Sequence, residues 1–124
     1  MSVKKMAEFF KLNGFEHTYD WTKNDRLKSL KDLRTVGEKE KNAVKQSDFF
    51  IMMLPAGKGS HIEYGIALGL GKRIYLYSPD QDIYDFEKTS TFYHLEKVTA
   101  FVGTMETFLD EVIILEKKHA HITL

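Results

Sequence analysis

Six apolar residues stand in an unbroken row at Phe49-Phe50-Ile51-Met52-Met53-Leu54, and they restrict what this chain can become more than any other feature. A strand with one wet face alternates apolar and polar side chains, whereas a run of strand length without alternation is buried on both faces. Such a strand needs layers packed above and below it, as inside a parallel sheet covered by helices. The next residues fit that setting. Pro55-Ala56-Gly57-Lys58-Gly59 is a turn, residues 60–70 read as a helix, and Gly71-Lys72 ends it. Arg73-Ile74-Tyr75-Leu76-Tyr77 is then a second strand, stopped by Ser78-Pro79-Asp80.

The flanks continue the alternation. Leu33, Val36 and Val44 predict a helix over residues 30–46. Upstream, Met6, Phe9, Phe10 and Leu12 mark a short amphipathic helix over residues 4–12, ended by Asn13-Gly14. The aromatic run over residues 15–21 alternates and predicts a strand, and residues 22–29 a loop. Downstream, residues 81–96 read as a long loop with a helical turn, and 98–102 as a short strand. Gly103-Thr104 opens a final helix to about Glu116, with a loose tail over 119–124. Strands alternating with helices imply an α/β fold: an open, mostly parallel, flavodoxin-like or Rossmann-like sheet with helices on both faces. The 124 residues are the size of one domain, spanning 1–124.

Composition narrows the function. Lysine plus arginine equals aspartate plus glutamate, 18 of each, so the basic surplus of a nucleic-acid binder is missing and no polymer partner is expected. The absence of cysteine excludes disulfides, thiolate catalysis and cysteine metal sites, and fits a reducing cytoplasm. No apolar run approaches the roughly 18–20 residues that span a bilayer, so no membrane role is expected. His17, His61 and His94 are too scattered for metal-ligand spacing, and His119 and His121 lie in the tail; neither metal nor cofactor is expected.

Chemistry is expected at the turn, because open α/β sheets bind ligands beyond the carboxyl ends of their strands. Gly57 and Gly59 leave backbone N–H groups uncovered, and the positive end of the following helix suits a phosphate or carboxylate. Lys58 adds a charge and Ser60 a hydroxyl. The pattern is neither a P-loop nor a dinucleotide fingerprint, for which Ile62 would have to be glycine. Glu63 has two readings. Ser60-His61-Ile62-Glu63 has the spacing of a capping box, which folds the carboxylate back on its own helix end. Alternatively, a first-turn carboxylate kept ionised by the macrodipole can attack an anomeric carbon or steady an oxocarbenium ion.

Ser47-Asp48, the buried strand, the glycine-containing loop, Glu63-Tyr64-Gly65-Ile66-Ala67 and Gly71-Lys72 occur in a fixed order. This stretch, about residues 47–79, resembles the nucleoside 2-deoxyribosyltransferase family and its nucleotide N-glycosidase relatives. The resemblance implies a doubly wound domain that cleaves a base-to-sugar bond. In it, Glu63 is the nucleophile forming a glycosyl–enzyme ester, and Asp48 matches the acid of the family's Ala/Ser-Asp pair. Asp48 also reads as a strand-leading residue that caps the preceding helix. Family sites lie at subunit contacts, so a homo-oligomer, a dimer or larger, is expected.

Two departures stand out. Family members begin with a hydrophobic strand and a glycine- or serine-bearing loop, while this sequence opens on what reads as the first helix; the first strand is expected to be absent. The transferases often carry an aspartate in the loop before the nucleophile. Here residues 55–59 hold no carboxylate, and Lys58 favours a nucleotide over a free nucleoside. Tyr19 and Trp21, or Phe92 and Tyr93, could stack a base or simply pack in the core. Two functions result: an N-glycosidase or deoxyribosyltransferase using Glu63, or a binding protein that captures a nucleotide or nucleotide-derived signal without turnover.

Overall fold

The computed structural model describes Lys5 and residues 28–122, with side chains as far as His119. In chain order the elements are α1 (Leu30–Gln46), β1 (Phe49–Met53), α2 (Lys58–Gly69), β2 (Arg73–Ser78), short 3-10 turns at Gln81–Tyr84 and Thr91–His94, β3 (Val98–Val102) and α3 (Met105–Ile122). The strands form an open, all-parallel sheet in the order β1-β2-β3, a flavodoxin-like α/β arrangement. Ile51 lies opposite Tyr75, and Tyr75 opposite Thr99.

Local chemistry sets the element ends. Ser29 opens α1: its hydroxyl accepts the Asp32 N–H at 3.1 Å, and the Asp32 carboxylate accepts the Lys28 N–H at 3.1 Å. Ser47 closes it, with its N–H and hydroxyl both donating to the Val44 carbonyl, at 3.2 and 2.6 Å. Helix α2 ends in a Schellman motif: Gly71 N–H donates to the Leu68 carbonyl and Lys72 N–H to Ala67. That geometry places Gly71 at φ +70°, where a glycine carries no Cβ penalty.

The central strand β2 feeds two cores. Ile74 and Leu76 pack with Val44, Met52, Tyr64 and Ala67 beneath α1 and α2. Tyr75 and Tyr77 pack on the other face with Phe108, Leu109 and Val112 of α3. Their hydroxyls emerge at the edge. Tyr77 donates to the Gly103 carbonyl at 2.7 Å, and Tyr75 donates to the Glu116 carboxylate. Arg73 grips the same carboxylate with two bonds of 2.7 and 2.8 Å, tying the start of β2 to α3.

The sequence reading needs three corrections. Helix α2 starts at Lys58 rather than Ser60, because Gly57 takes the cap position. Helix α3 runs to Ile122, so residues 119–122 are helical rather than a loose tail. The loop over residues 81–96 contains two helical turns, not one. The helix expected over 4–12 (apart from Lys5, itself helical), the strand over 15–21 and the stacking candidates Tyr19 and Trp21 lie outside the described residues.

Candidate functional site at the start of helix α2

Strand β1 delivers the chain to the carboxyl edge of the sheet, where Leu54 N–H still pairs with the Tyr77 carbonyl at 2.8 Å. Gly57 then caps α2 without any side-chain bond. The capping box does not form. With the helix starting at Lys58, Ser60 is its third residue and Glu63 its sixth, one turn too deep to fold back, and no acidic side chain stands in the first turn. Lys58, Gly59 and Ser60 are exposed, and a Cβ at Gly57 or Gly59 would meet nothing within 4 Å. The first N–H groups of a helix have no partner within it, so these face open space as ready donors to an anion.

Glu63 projects from α2 toward α1, half-buried, with the Glu40 carboxyl as its neighbour. Its carboxyl is pushed up to about 7, first by loss of solvent and then by the adjoining Glu40 carboxyl. The expectation that the macrodipole holds this carboxylate ionised therefore fails: the dipole's influence fades beyond the first turn, and burial beside a second carboxyl acts the other way.

His61 leaves the helix on the opposite side, since two residues advance the direction by roughly 200°. Its backbone N–H and its ring Nδ1 both contact the Gly57 carbonyl, at 3.2 and 2.9 Å. A carbonyl only accepts, so Nδ1 carries the proton. In the neutral ring Nε2 must then accept, and it takes the Tyr93 hydroxyl at 2.6 Å. Tyr64, one turn along α2, donates to the Phe92 carbonyl at 2.6 Å, so the 3-10 turn Thr91–His94 is bolted to the helix twice. Burial raises both phenols, Tyr64 to about 12. Beside this network opens a cleft of about 310 Å³, walled by Leu54, Pro55, His61, Asp80, Ile83 and Tyr93 among others.

The structure brings Gly57, Lys58, Gly59 and Ser60 together at one helix end, with Glu63 one turn on. Neither these residues nor Asp48 line the cleft. Asp48 sits at the amino end of β1, about 17 Å of strand away from the turn, and Ser47 rather than Asp48 caps α1. Tyr93 packs edge-on against Tyr64, with ring centres 6.0 Å apart, so it is a wall residue; the neighbouring Phe92 is exposed. Among the described residues no three histidines or acids group as metal ligands, and no helix is long and apolar enough to cross a membrane.

Glu40 is the residue that sequence reasoning missed. Its polar neighbours Glu38, Lys39 and Lys41 make it look like part of a solvated face. The available signal was its register: Val36, Glu40 and Val44 are spaced by four, so the carboxyl lies on the stripe that α1 turns inward. No curated protein and no solved structure matches the chain. The family model for nucleoside 2-deoxyribosyltransferase does match it, over residues 1–113, far beyond the stretch around the glutamate. With its parallel sheet, glycine turn and inward-facing Glu63 in place, the chain belongs to the nucleoside 2-deoxyribosyltransferase family, whose chemistry is N-glycosyl transfer.

Proposed function

We propose that the protein breaks the N-glycosidic bond of a nucleotide, with Glu63 as the nucleophile. The observation that carries this reading is the Glu40–Glu63 pair: two neighbouring carboxyls, one of them half-buried with a raised proton affinity, next to a helix end without a side-chain cap. The ionised Glu63 attacks the anomeric carbon, the carbon–nitrogen bond breaks, and its electron pair leaves with the base, which takes up a proton. The Glu40 carboxyl lies beside the nucleophile and raises its proton affinity. Water or a second base then attacks the glycosyl ester and restores the carboxylate. The first turn of α2 and Lys58 suit a 5′-phosphate, which separates nucleotides from free nucleosides.

One observation favours a second reading, capture without turnover. A carboxyl raised to about 7 is largely protonated in mildly acidic solution, and a protonated Glu63 donates a hydrogen bond instead of attacking. Wild type and Glu63→Ala incubated with ribo- and deoxyribonucleotides decide between the two. Release of free base by the wild type alone supports the nucleophile, and binding with no release in either protein supports capture. Release that survives in Glu63→Ala overturns the assignment of Glu63.

A further inference from the structure

Helix α2 lacks the polar outer face that a surface helix ordinarily carries. At roughly 100° per residue, the buried Tyr64 and Ala67 fix its inward side, which leaves Ile62, Gly65, Ile66 and Gly69 on the side away from the sheet. The polar side chains past the first turn go elsewhere: His61 reaches sideways to Tyr93, and Glu63 toward Glu40 on α1. The outer surface from Ile62 to Gly69 therefore holds no charge and no hydrogen-bonding side chain. Ile62 is 60% exposed, and a Cβ at Gly65 or Gly69 would meet nothing within 4 Å. A helix apolar on its outer as well as its inner side has the character of a buried helix.

The surface beside it continues the pattern. Val44 of α1, Tyr64 of α2 and Ile83 and Tyr93 of the 81–96 loop enter one core, so α1 and the loop flank α2 on the same face of the sheet. Leu30 and Leu33 are exposed on α1, and Phe92 on the loop, where Phe86 is 97% exposed. The charges of the two flanks are opposite. Exposed Lys31, Arg34 and Lys45 of α1 form no ion pair among the described residues, while Glu38 is held by Lys41 at 3.4 Å. Residues 80–96 carry five carboxylates and one lysine, Lys88, itself 3.4 Å from Asp82.

We infer that this face is the contact between two copies of the chain, α2 against α2 on a twofold axis that runs along the helix. That rotation lays α1 of each copy over the 81–96 loop of the other, so the basic flank meets the acidic flank twice. It also keeps the carboxyl edges of both sheets at one end, which brings Arg34, early in α1, toward Glu87, early in the loop. Gly65 and Gly69 let the two backbones approach closely. A partner of different sequence would need both signs of charge in the matching places, and a second copy supplies them by symmetry. With no formal net charge, the copies have no overall repulsion to overcome. The contact stands whether or not Glu63 is a nucleophile.

Sedimentation equilibrium of the full chain in low salt tests this, and wild type is expected to dimerise. Ile62→Gln should weaken the dimer about tenfold by removing apolar surface at the axis. Arg34→Glu and Glu87→Lys should each weaken it about tenfold, because like charges then face each other. Mixing these two charge variants should restore wild-type strength, since the mixed dimer has one native contact and one with both signs reversed. All three side chains are exposed, and thermal unfolding confirms that each variant folds. A wild type that stays monomeric throughout the concentration series overturns the proposal. So does a dimer indifferent to Ile62→Gln, which places the contact on another face, and so does a failure of mixing to restore it.

Discussion

The proposed chemistry turns on one side chain whose neighbours were hard to read. Glu63 could be picked out because its motif is local, but its proton affinity depends on Glu40, 23 positions earlier and on another helix. Only folding reveals that pairing. If Glu63 attacks as the anion, base release should rise with pH through about 7, where the carboxyl ionises. Glu40→Gln removes the negative charge and keeps an amide in place of the carboxyl, so the acid limb should move down by about one unit. It should stay above the ordinary carboxylate range, because loss of solvent is the larger cause and remains. A pH–rate profile on both proteins reads this directly, and an unmoved limb would show that Glu40 does not act on Glu63. A separate cluster is structural. Glu116, 5% exposed, satisfies Arg73 and Tyr75 together. Glu116→Gln leaves Arg73 without its counter-charge, at a cost of about 2–3 kcal/mol. That is below the figure for a fully buried pair because the Arg73 side chain is 34% exposed. Denaturant unfolding measures it.

Among the elements, those with an apolar run or a plain breaker were legible. Helix α1 and strand β3 begin and end where their side-chain patterns place them. The start of α2 was not legible, because Ser60 and Glu63 imitate a cap and Gly57 gives no side-chain signal. Cap chemistry can be read from sequence only when a side chain does the capping. The end of α2 illustrates the opposite case. Gly71 is required there by its left-handed backbone, and Lys97 donates to its carbonyl at 3.1 Å. A Cβ at that position meets only the flexible end of Lys97, at 3.9 Å, so the cost of a side chain is backbone strain and not collision. Gly71→Ala should lower stability by about 1 kcal/mol, or roughly 4 °C in Tm, and Gly71→Asn by less. Equal stability of all three proteins would mean that the motif relaxes without loss.

At the scale of the molecule, the parallel sheet was legible because an apolar strand without alternation admits few other settings. The meeting of Glu63 with Glu40 was not, since it joins two helices distant in sequence. The glutamate proposed as nucleophile should also make the fold sensitive to pH. In an unfolded chain the Glu63 carboxyl titrates near 4.5, and in the folded protein near 7. Between these values the folded state holds a proton that the unfolded state has lost. The contribution is therefore full below about 4.5, declines as pH rises, and is gone above about 7. Wild-type stability, measured by denaturant unfolding at a series of pH values, should accordingly lose this increment between those limits. Glu63→Gln cannot ionise, so its curve should lack that decline and lie above the wild type at pH 8, where the wild type must keep a charge half-buried beside Glu40. Parallel curves for the two proteins would mean that solvent reaches the pair freely, leaving Glu63 without the raised proton affinity on which the expected pH dependence rests.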